Sequence, residues 1–233
     1  MPLFRPFGPD HWAAMALTAV AAGALLGNAR RLRRLPNDRW IRAGLAIVIV
    51  GNELISWISS GLQGIWRLPL QLCDLAMVVM GWALVGRQTF VSAVAFYWGL
   101  GGSLQAVLTP DLSQAFPHAQ WVVFFLGHGG MVVSAVYLAV RGMVPLDRAT
   151  VWRVWLLTNG YAAVAGAVNW GLGTNYGYLA HKPAHPSLLD VLGPWPYYIL
   201  AVEGVAVVLF FLCLAAACAI ERRASPAARA AWH

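Results

Sequence analysis

Three side chains in this sequence have the chemistry and the placement for acyl or group transfer: Cys73, Asp74 and His128. Cys73 ends the stretch Leu68-Pro69-Leu70-Gln71-Leu72-Cys73. A helix opening at Pro69 puts it about one turn in, near the helix N-terminus, where the free first-turn amides and the helix dipole favour a thiolate. Asp74 opposes that by adding negative charge, unless a protonated His128 stands between them. His128 lies in an apolar run and is flanked by Gly127, Gly129 and Gly130, which leave room beside the imidazole for a ligand or another backbone. One imidazole with an acidic neighbour such as Glu53, Asp74 or Glu203 suffices for a general base. Plainer readings stand beside these: a membrane cysteine usually packs as a small apolar group, and a lone histidine usually satisfies a hydrogen bond. Cys213 and Cys218, on an Ala- and Leu-rich stretch, take the plainer one. With His128 read as the sole histidine within an apolar run, ligands for zinc or haem are too few, so no metal and no cofactor are expected.

The elements that position these residues are membrane helices. Of 233 residues, 60% are hydrophobic and 11% charged, an apolar load that a water-soluble domain of this size has no interior to bury. Apolar runs separated by polar breaks predict an all-α bundle of seven transmembrane helices, near 11–28, 41–62, 69–86, 89–108, 118–140, 151–172 and 196–220. Alternating the connections gathers arginines such as Arg30, Arg31, Arg33, Arg34, Arg42, Arg87, Arg141, Arg222 and Arg223 on one side, leaving only Arg5, Arg67 and Lys182 on the other. By the positive-inside rule the N-terminus is outside and the C-terminus cytoplasmic. The net charge of +7 is thus a topology signal and not a sign of nucleic-acid binding. The first apolar run is followed, not preceded, by its arginine cluster, so it reads as a retained anchor. The cysteines all fall in apolar runs, so no disulfide framework is implied. Residues 1–223 form one domain, and 224–233 read as a disordered cytoplasmic tail. Trp12, Trp66, Trp121, Trp170, Trp195, Tyr197 and Tyr198 mark the outer interface, and Trp40, Trp152 and Trp155 the inner one.

Polar side chains within spans are costly and usually face the bundle interior. Here they are Glu53, Gln71, Cys73, Asp74, Gln105, His128, Asn159, Asn169 and Glu203. At about 1.5 Å of rise per residue, all but Asn159 fall in the outer half, which predicts a polar cavity opening outward with contributions from six helices. Gln105 and Asn159 read singly as interhelical hydrogen-bond glue. Asn159, Ala162, Gly166, Asn169 and Gly173 form a small, polar stripe suited to close helix packing. The connection from Gly173 to Pro194, with Asn175, Tyr176, His181, Lys182, His185 and Asp190, is long for so compact a protein, and its aromatic and proline content argues for a lid or binding segment ordered on the outer face.

The Pro69-to-Cys73 segment, the Gly-His-Gly at 127–129, and the stretch from Asn175-Tyr176-Gly177-Tyr178-Leu179 through Lys182-Pro183 and Ser187-Leu188-Leu189-Asp190 to Gly193-Pro194-Trp195-Pro196 resemble the bacterial YwaF-like integral membrane proteins. Those in turn look related to the eukaryotic transmembrane protein 164 family. The resemblance covers nearly the whole chain. It implies a membrane-embedded acyltransferase moving a fatty acyl chain between phospholipids in a bacterial inner or plasma membrane, with Cys73 as nucleophile and His128 as base. On that reading Gln71, Gln105 or Asn169 would donate to the oxyanion, Asn175, Tyr176 and Lys182 would hold headgroups, and the partner would be a phospholipid or lysophospholipid. A transporter or small-solute binding protein using Glu53 and Glu203 is the competing reading, and a scaffold whose polar layer only sets helix register is a third.

Overall fold

A computed structural model describes residues 3–62, 68–183 and 188–225, and all statements below concern those residues. The chain is all-helical. It forms α1 (Pro9–Gly27), α2 (Ala29–Arg33), α3 (Arg39–Leu62), α4 (Leu72–Gly86), α5 (Thr89–Leu108), α6 (Ala119–Val140), α7 (Arg148–Leu172) and α8 (Tyr197–Ala224). Of these, α3, α5, α6 and α8 are each long and apolar enough to cross a membrane.

The expected seven helices are therefore eight. The addition is α2, which lies in the arginine-rich stretch read from sequence as a loop. Alanine, leucine and arginine are strong helix formers, and the neighbours of α2 supply partners for its arginines: Arg33 pairs with Glu221 at 2.7 Å, and the Arg30 Nε–H donates to the Arg223 carbonyl at 3.2 Å.

The start of α4 also differs. It begins at Leu72, not Pro69, because Leu68–Leu70 forms a tight turn, with the Leu70 N–H on the Leu68 carbonyl at 2.8 Å, Gln71 is extended, and distant side chains hold the segment there. The Leu68 N–H donates to the Tyr176 hydroxyl at 2.9 Å, and the Tyr161 hydroxyl donates to the Leu70 carbonyl at 2.8 Å. The second bond occupies a carbonyl that one more helical turn would offer to the Asp74 N–H. At 15 residues α4 is shorter than the roughly 20 that a bilayer core takes.

The centre of the bundle is α5 and α6, whose apolar faces contain Phe96, Tyr97, Met131, Tyr137 and Leu138, all fully buried. Helices α1, α3 and α4 pack around them on one side, while α8 rests on α6 and α2. Midway along α5, Trp98–Gly102 widens into a π-helical turn. A side chain at Gly99 would sit 3.1 Å from Met80 Cε and 3.4 Å from the Met131 carbonyl, so glycine lets α4, α5 and α6 meet there.

The arginine-rich end is tied by a buried ionic knot. Asp38, 4% exposed, accepts from Tyr137 Oη at 2.7 Å and Arg42 Nε at 3.0 Å, and forms an ion pair with Arg141, whose Nε lies 2.8 Å away. Burial alone would raise the Asp38 pKa, but the Tyr137 hydrogen bond and the two guanidinium charges outweigh it and hold the carboxyl below its ordinary value. At the opposite end, Phe4, Ala14, Leu112 and Phe125 form a small second core. Trp12, Trp170, Trp195 and Tyr197 are exposed around that end, and Trp40 and Trp152 around the arginine-rich one. Trp155 instead turns inward to Glu203, Trp121 packs on Phe116 and Phe125, and Trp66 lies outside the described residues. Of the expected tail, only Ala224, which closes α8, and Ser225 are described.

Candidate functional site

A cavity of about 570 Å³ opens between α3, α4, α5, α6 and α8 at the end away from the arginine cluster. Its polar lining comprises Asn52, Glu53 and Ser56 from α3, Gln71, Cys73 and Asp74 from the start of α4, Gln105, Thr109 and Asp111 at the end of α5, and Gln120 and His128 from α6. Val202, Val205, Ala206 and Leu209 of α8, with Met77 and Phe124, give it an apolar wall. Among the described lining residues the charged side chains are carboxylates, and the first turn of α4 adds the positive end of its dipole.

Cys73 is the second residue of α4, half-buried, in the turn whose amides have no intrahelical acceptor. The residue ahead of it, Gln71, has extended backbone and does not cap the helix with its own side chain. Its Oε1 instead accepts the Gly177 N–H at 3.0 Å.

His128, 8% exposed, donates from Nδ1 to the Phe124 carbonyl at 2.9 Å, since a carbonyl can only accept. The neutral ring therefore carries its lone pair on Nε2. Phe124 also stacks on the imidazole, with centroids 4.3 Å apart at 28°, and fixes its plane. The glycines around His128 are filled by protein side chains. A Cβ at Gly127 would meet Asn52 Nδ2 at 2.6 Å and Met77 Cε at 2.7 Å, one at Gly129 would meet Thr18 Oγ1 at 2.7 Å, and one at Gly130 would meet Ile49 Cδ1 at 2.8 Å. They serve close packing of α6 against α1, α3 and α4.

The cavity thus gathers six of the residues singled out by sequence: Cys73, His128, Glu53, Gln71, Asp74 and Gln105. The other five do not line it. Asn169 spends both ends of its amide on the turn after α7, donating to the Tyr176 carbonyl at 3.0 Å and accepting from the Tyr176 N–H at 2.7 Å and the Thr174 hydroxyl at 2.9 Å. Asn175 closes the next turn, bonding the backbone of Ala180 and His181. Tyr176 holds the Leu68 segment through its hydroxyl. Lys182 lies 3.9 Å from Asp190 and 5.7 Å from the centre of the Tyr198 ring. Glu203 is bound at the α7–α8 seam by Trp155 Nε1 at 2.8 Å and Asn159 Nδ2 at 3.1 Å. The expected six-helix polar layer is therefore narrower: α7 contributes nothing to the cavity, and the carboxylate of α8 is turned away from it. Of the small stripe on α7, Asn159 meets Glu203 of α8, whereas nothing lies within 4 Å of a Cβ built at Gly166 or Gly173.

The long connection after α7 does cover the site. Tyr178, Pro183, Leu189 and Leu192 line the cavity, although His185 and Pro186 lie outside the described residues. Tyr178 has a left-handed backbone, φ 54°, following Gly177 at φ 65°, a conformation that costs a non-glycine residue about 1–3 kcal/mol. It is held there from two sides: its hydroxyl donates to Asp111 Oδ2 at 2.9 Å, and its carbonyl accepts the Tyr198 hydroxyl. Burial, with the adjacent Asp111 carboxylate, raises the Tyr178 pKa and keeps the phenol protonated.

Asn52, Ser56, Thr109, Asp111 and Gln120 also line the cavity and escaped the sequence reading. Asn52, 5% exposed, lines the cavity against Gly127, and its position one residue before Glu53 was the available signal. His11 corrects the view of His128 as the sole histidine within an apolar segment: it is fully buried in α1, accepting the Phe7 N–H at 2.9 Å and donating to the Val107 carbonyl at 2.8 Å. Both its nitrogens are engaged, so its role is to anchor α1 to α5. Among the described residues no group of three His, Cys, Asp or Glu side chains comes together as a metal-ligand set.

A family model described as the TMEM164 family matches residues 6–214, a span that contains every element lining the cavity. No curated protein and no solved structure matches the chain.

Proposed function

Because this chain belongs to the TMEM164 family, whose resemblance to its own motifs implies acyl transfer, we propose that the cavity transfers a fatty acyl group between glycerolipids through a thioester on Cys73. The observation that carries this reading is the sharing of one cavity by Cys73, in the first turn of α4, and His128, whose Nδ1 is committed to a carbonyl so that Nε2 is the basic nitrogen. His128 Nε2 takes the Cys73 thiol proton, and the thiolate attacks the ester carbonyl carbon. The tetrahedral adduct collapses with cleavage of the ester C–O bond, and the imidazolium returns its proton to the departing glycerol oxygen. In the second half, an acceptor hydroxyl gives its proton to Nε2 and attacks the thioester. The C–S bond breaks and Cys73 leaves as thiolate, to be reprotonated by His128.

The polar groups facing this chemistry are Gln105 and the first turn of α4, whose positive dipole end suits a developing oxyanion. Gln71 supports the loop with its oxygen and offers its Nε2 to the cavity. The apolar wall from α8 and Phe124 suits the acyl chain. We place the arginine-rich end in the cytoplasm and the cavity toward the outer leaflet, as the positive-inside rule directs, so that a nucleophile one turn below the interface stands at the depth of lipid ester bonds. The competing transport reading required Glu53 and Glu203 to act together, but Glu203 is committed to Trp155 and Asn159 and does not line the cavity.

The test uses the full chain in vesicles with an isotope-labelled acyl donor and a lysolipid acceptor. Labelled acyl adduct on Cys73, sensitive to hydroxylamine, is expected, with transfer lost in Cys73→Ala and reduced roughly 10²–10⁴-fold in His128→Gln. Wild-type transfer by Cys73→Ala would refute the proposal.

A further inference from the structure

At the opposite end of the bundle a second cavity, of about 530 Å³, lies where the end of α1 and the start of α2 face the end of α8. It is lined by Leu26, Gly27 and Ala29 on one side and by Arg30, Arg222 and Arg223. Arg30 and Arg223 bring two like charges to one hollow, which favours an anion between them. The carboxylate nearest in sequence, Glu221, is occupied by Arg33 at 2.7 Å. Arg30 spends its Nε–H on the Arg223 carbonyl, which leaves its two terminal amino groups to bind outward. That carbonyl belongs to the last turn of α8, so the bond fixes Arg30 across the hollow and sets the spacing of the cluster.

The surroundings identify what kind of anion fits. Leu26, Gly27 and Ala29 give the cavity an apolar side continuous with α1, whose Leu17 and Val20 are exposed, as are Val208 and Leu212 of α8. These outward faces are lipid-facing in a membrane protein. Helix α8 packs on α2 and α6, so the groove beside α1 is open for an acyl chain to run along it. We infer that this groove binds the phosphate of an anionic phospholipid, with the arginines on the phosphate and the Leu26 side against the glycerol and chain, and that the bound lipid joins α2 to α8. Basic pockets at this side of a helix bundle recognise such headgroups through guanidinium–phosphate bonds. The site is remote from Cys73 and does not depend on the acyl-transfer reading.

The test takes the full chain in neutral detergent micelles and adds phosphatidylglycerol, phosphatidylcholine or inorganic phosphate, reading thermal stability and lipid retained by native mass spectrometry. Phosphatidylglycerol is expected to raise the melting temperature and to remain bound as a discrete molecule, and the gain is expected to shrink with added salt. Arg30→Gln and Arg223→Gln, made singly because both side chains are exposed and tolerate change, should each weaken retention about fivefold. Arg87→Gln, at the same end of the bundle but outside the groove, should leave retention unchanged. Equal stabilisation by inorganic phosphate would support the phosphate site and make free phosphate, not lipid, its ligand. Equal stabilisation by phosphatidylcholine, or wild-type retention in both groove variants, would overturn it.

Discussion

Gln71 Oε1 accepts the backbone N–H of Gly177 at 3.0 Å, which ties the residue one step ahead of the Cys73 helix to the loop that covers the cavity. The two ends of this contact are far apart in the chain, so the bond couples the start of the Cys73 helix to the covering loop through one amide.

Removing that acceptor should loosen the lid without unfolding the bundle. In Gln71→Leu the Gly177 amide loses a hydrogen bond worth about 1 kcal/mol. Amide hydrogen exchange across 175–183 is then expected to quicken about fivefold, with exchange in the core of α6 unchanged. Gln71→Glu keeps an acceptor oxygen and should stay close to wild type. Unaltered exchange in Gln71→Leu would show that the Tyr178 contacts with Asp111 and Tyr198 hold the lid alone.

Two glycine substitutions should part company. Gly127→Ala puts a methyl 2.6 Å from Asn52 Nδ2 and 2.7 Å from Met77 Cε. Met77 can swing aside, but the buried Asn52 amide must shift with the α3 backbone, at about 1–3 kcal/mol. Gly166→Ala meets nothing within 4 Å and should gain up to about 1 kcal/mol from helix propensity. Thermal unfolding of the two variants in one detergent is expected to move in opposite directions, and a fall for Gly166→Ala would show that its face is packed in solution.

Asp38→Asn should be severely destabilising, by about 3–5 kcal/mol, because Arg42 and Arg141 are left as buried cations without their carboxylate. The pH dependence follows in sign. The folded pKa of Asp38 lies below its ordinary value of 3.8, so its contribution is fully present above that value and is lost as pH falls through the depressed one. Stability measured down an acid series should therefore drop more steeply for the wild type than for Asp38→Asn, and parallel curves would remove Asp38 from the acid response.

Most of the helical layout was legible because lipid imposes long apolar runs and arginine marks their ends. The exceptions are informative. Helix α2 formed where charge suggested a loop, because Glu221 and the Arg223 carbonyl, nearly two hundred residues on, supplied its partners. The Leu68–Gln71 segment looked helical because the side chains that hold it out of the helix, Tyr161 and Tyr176, lie far along the chain.

The sequence by itself determined that Cys73, His128, Glu53, Asp74, Gln71 and Gln105 are polar groups in an apolar chain, and that they occupy one layer. It could do so because polarity within a span is costly wherever the span lies, and depth follows from helical rise. Only the tertiary structure decided which of these groups face one another. Asn169 and Glu203 share the composition and depth of the others, yet helix rotation turns the first onto the Tyr176 turn and the second onto Trp155 and Asn159. Rotation about a helix axis is set by packing, at Gly127 against Asn52, at Gly99 against Met80 and at Gly130 against Ile49. Those contacts join residues too distant in sequence for any local pattern to encode.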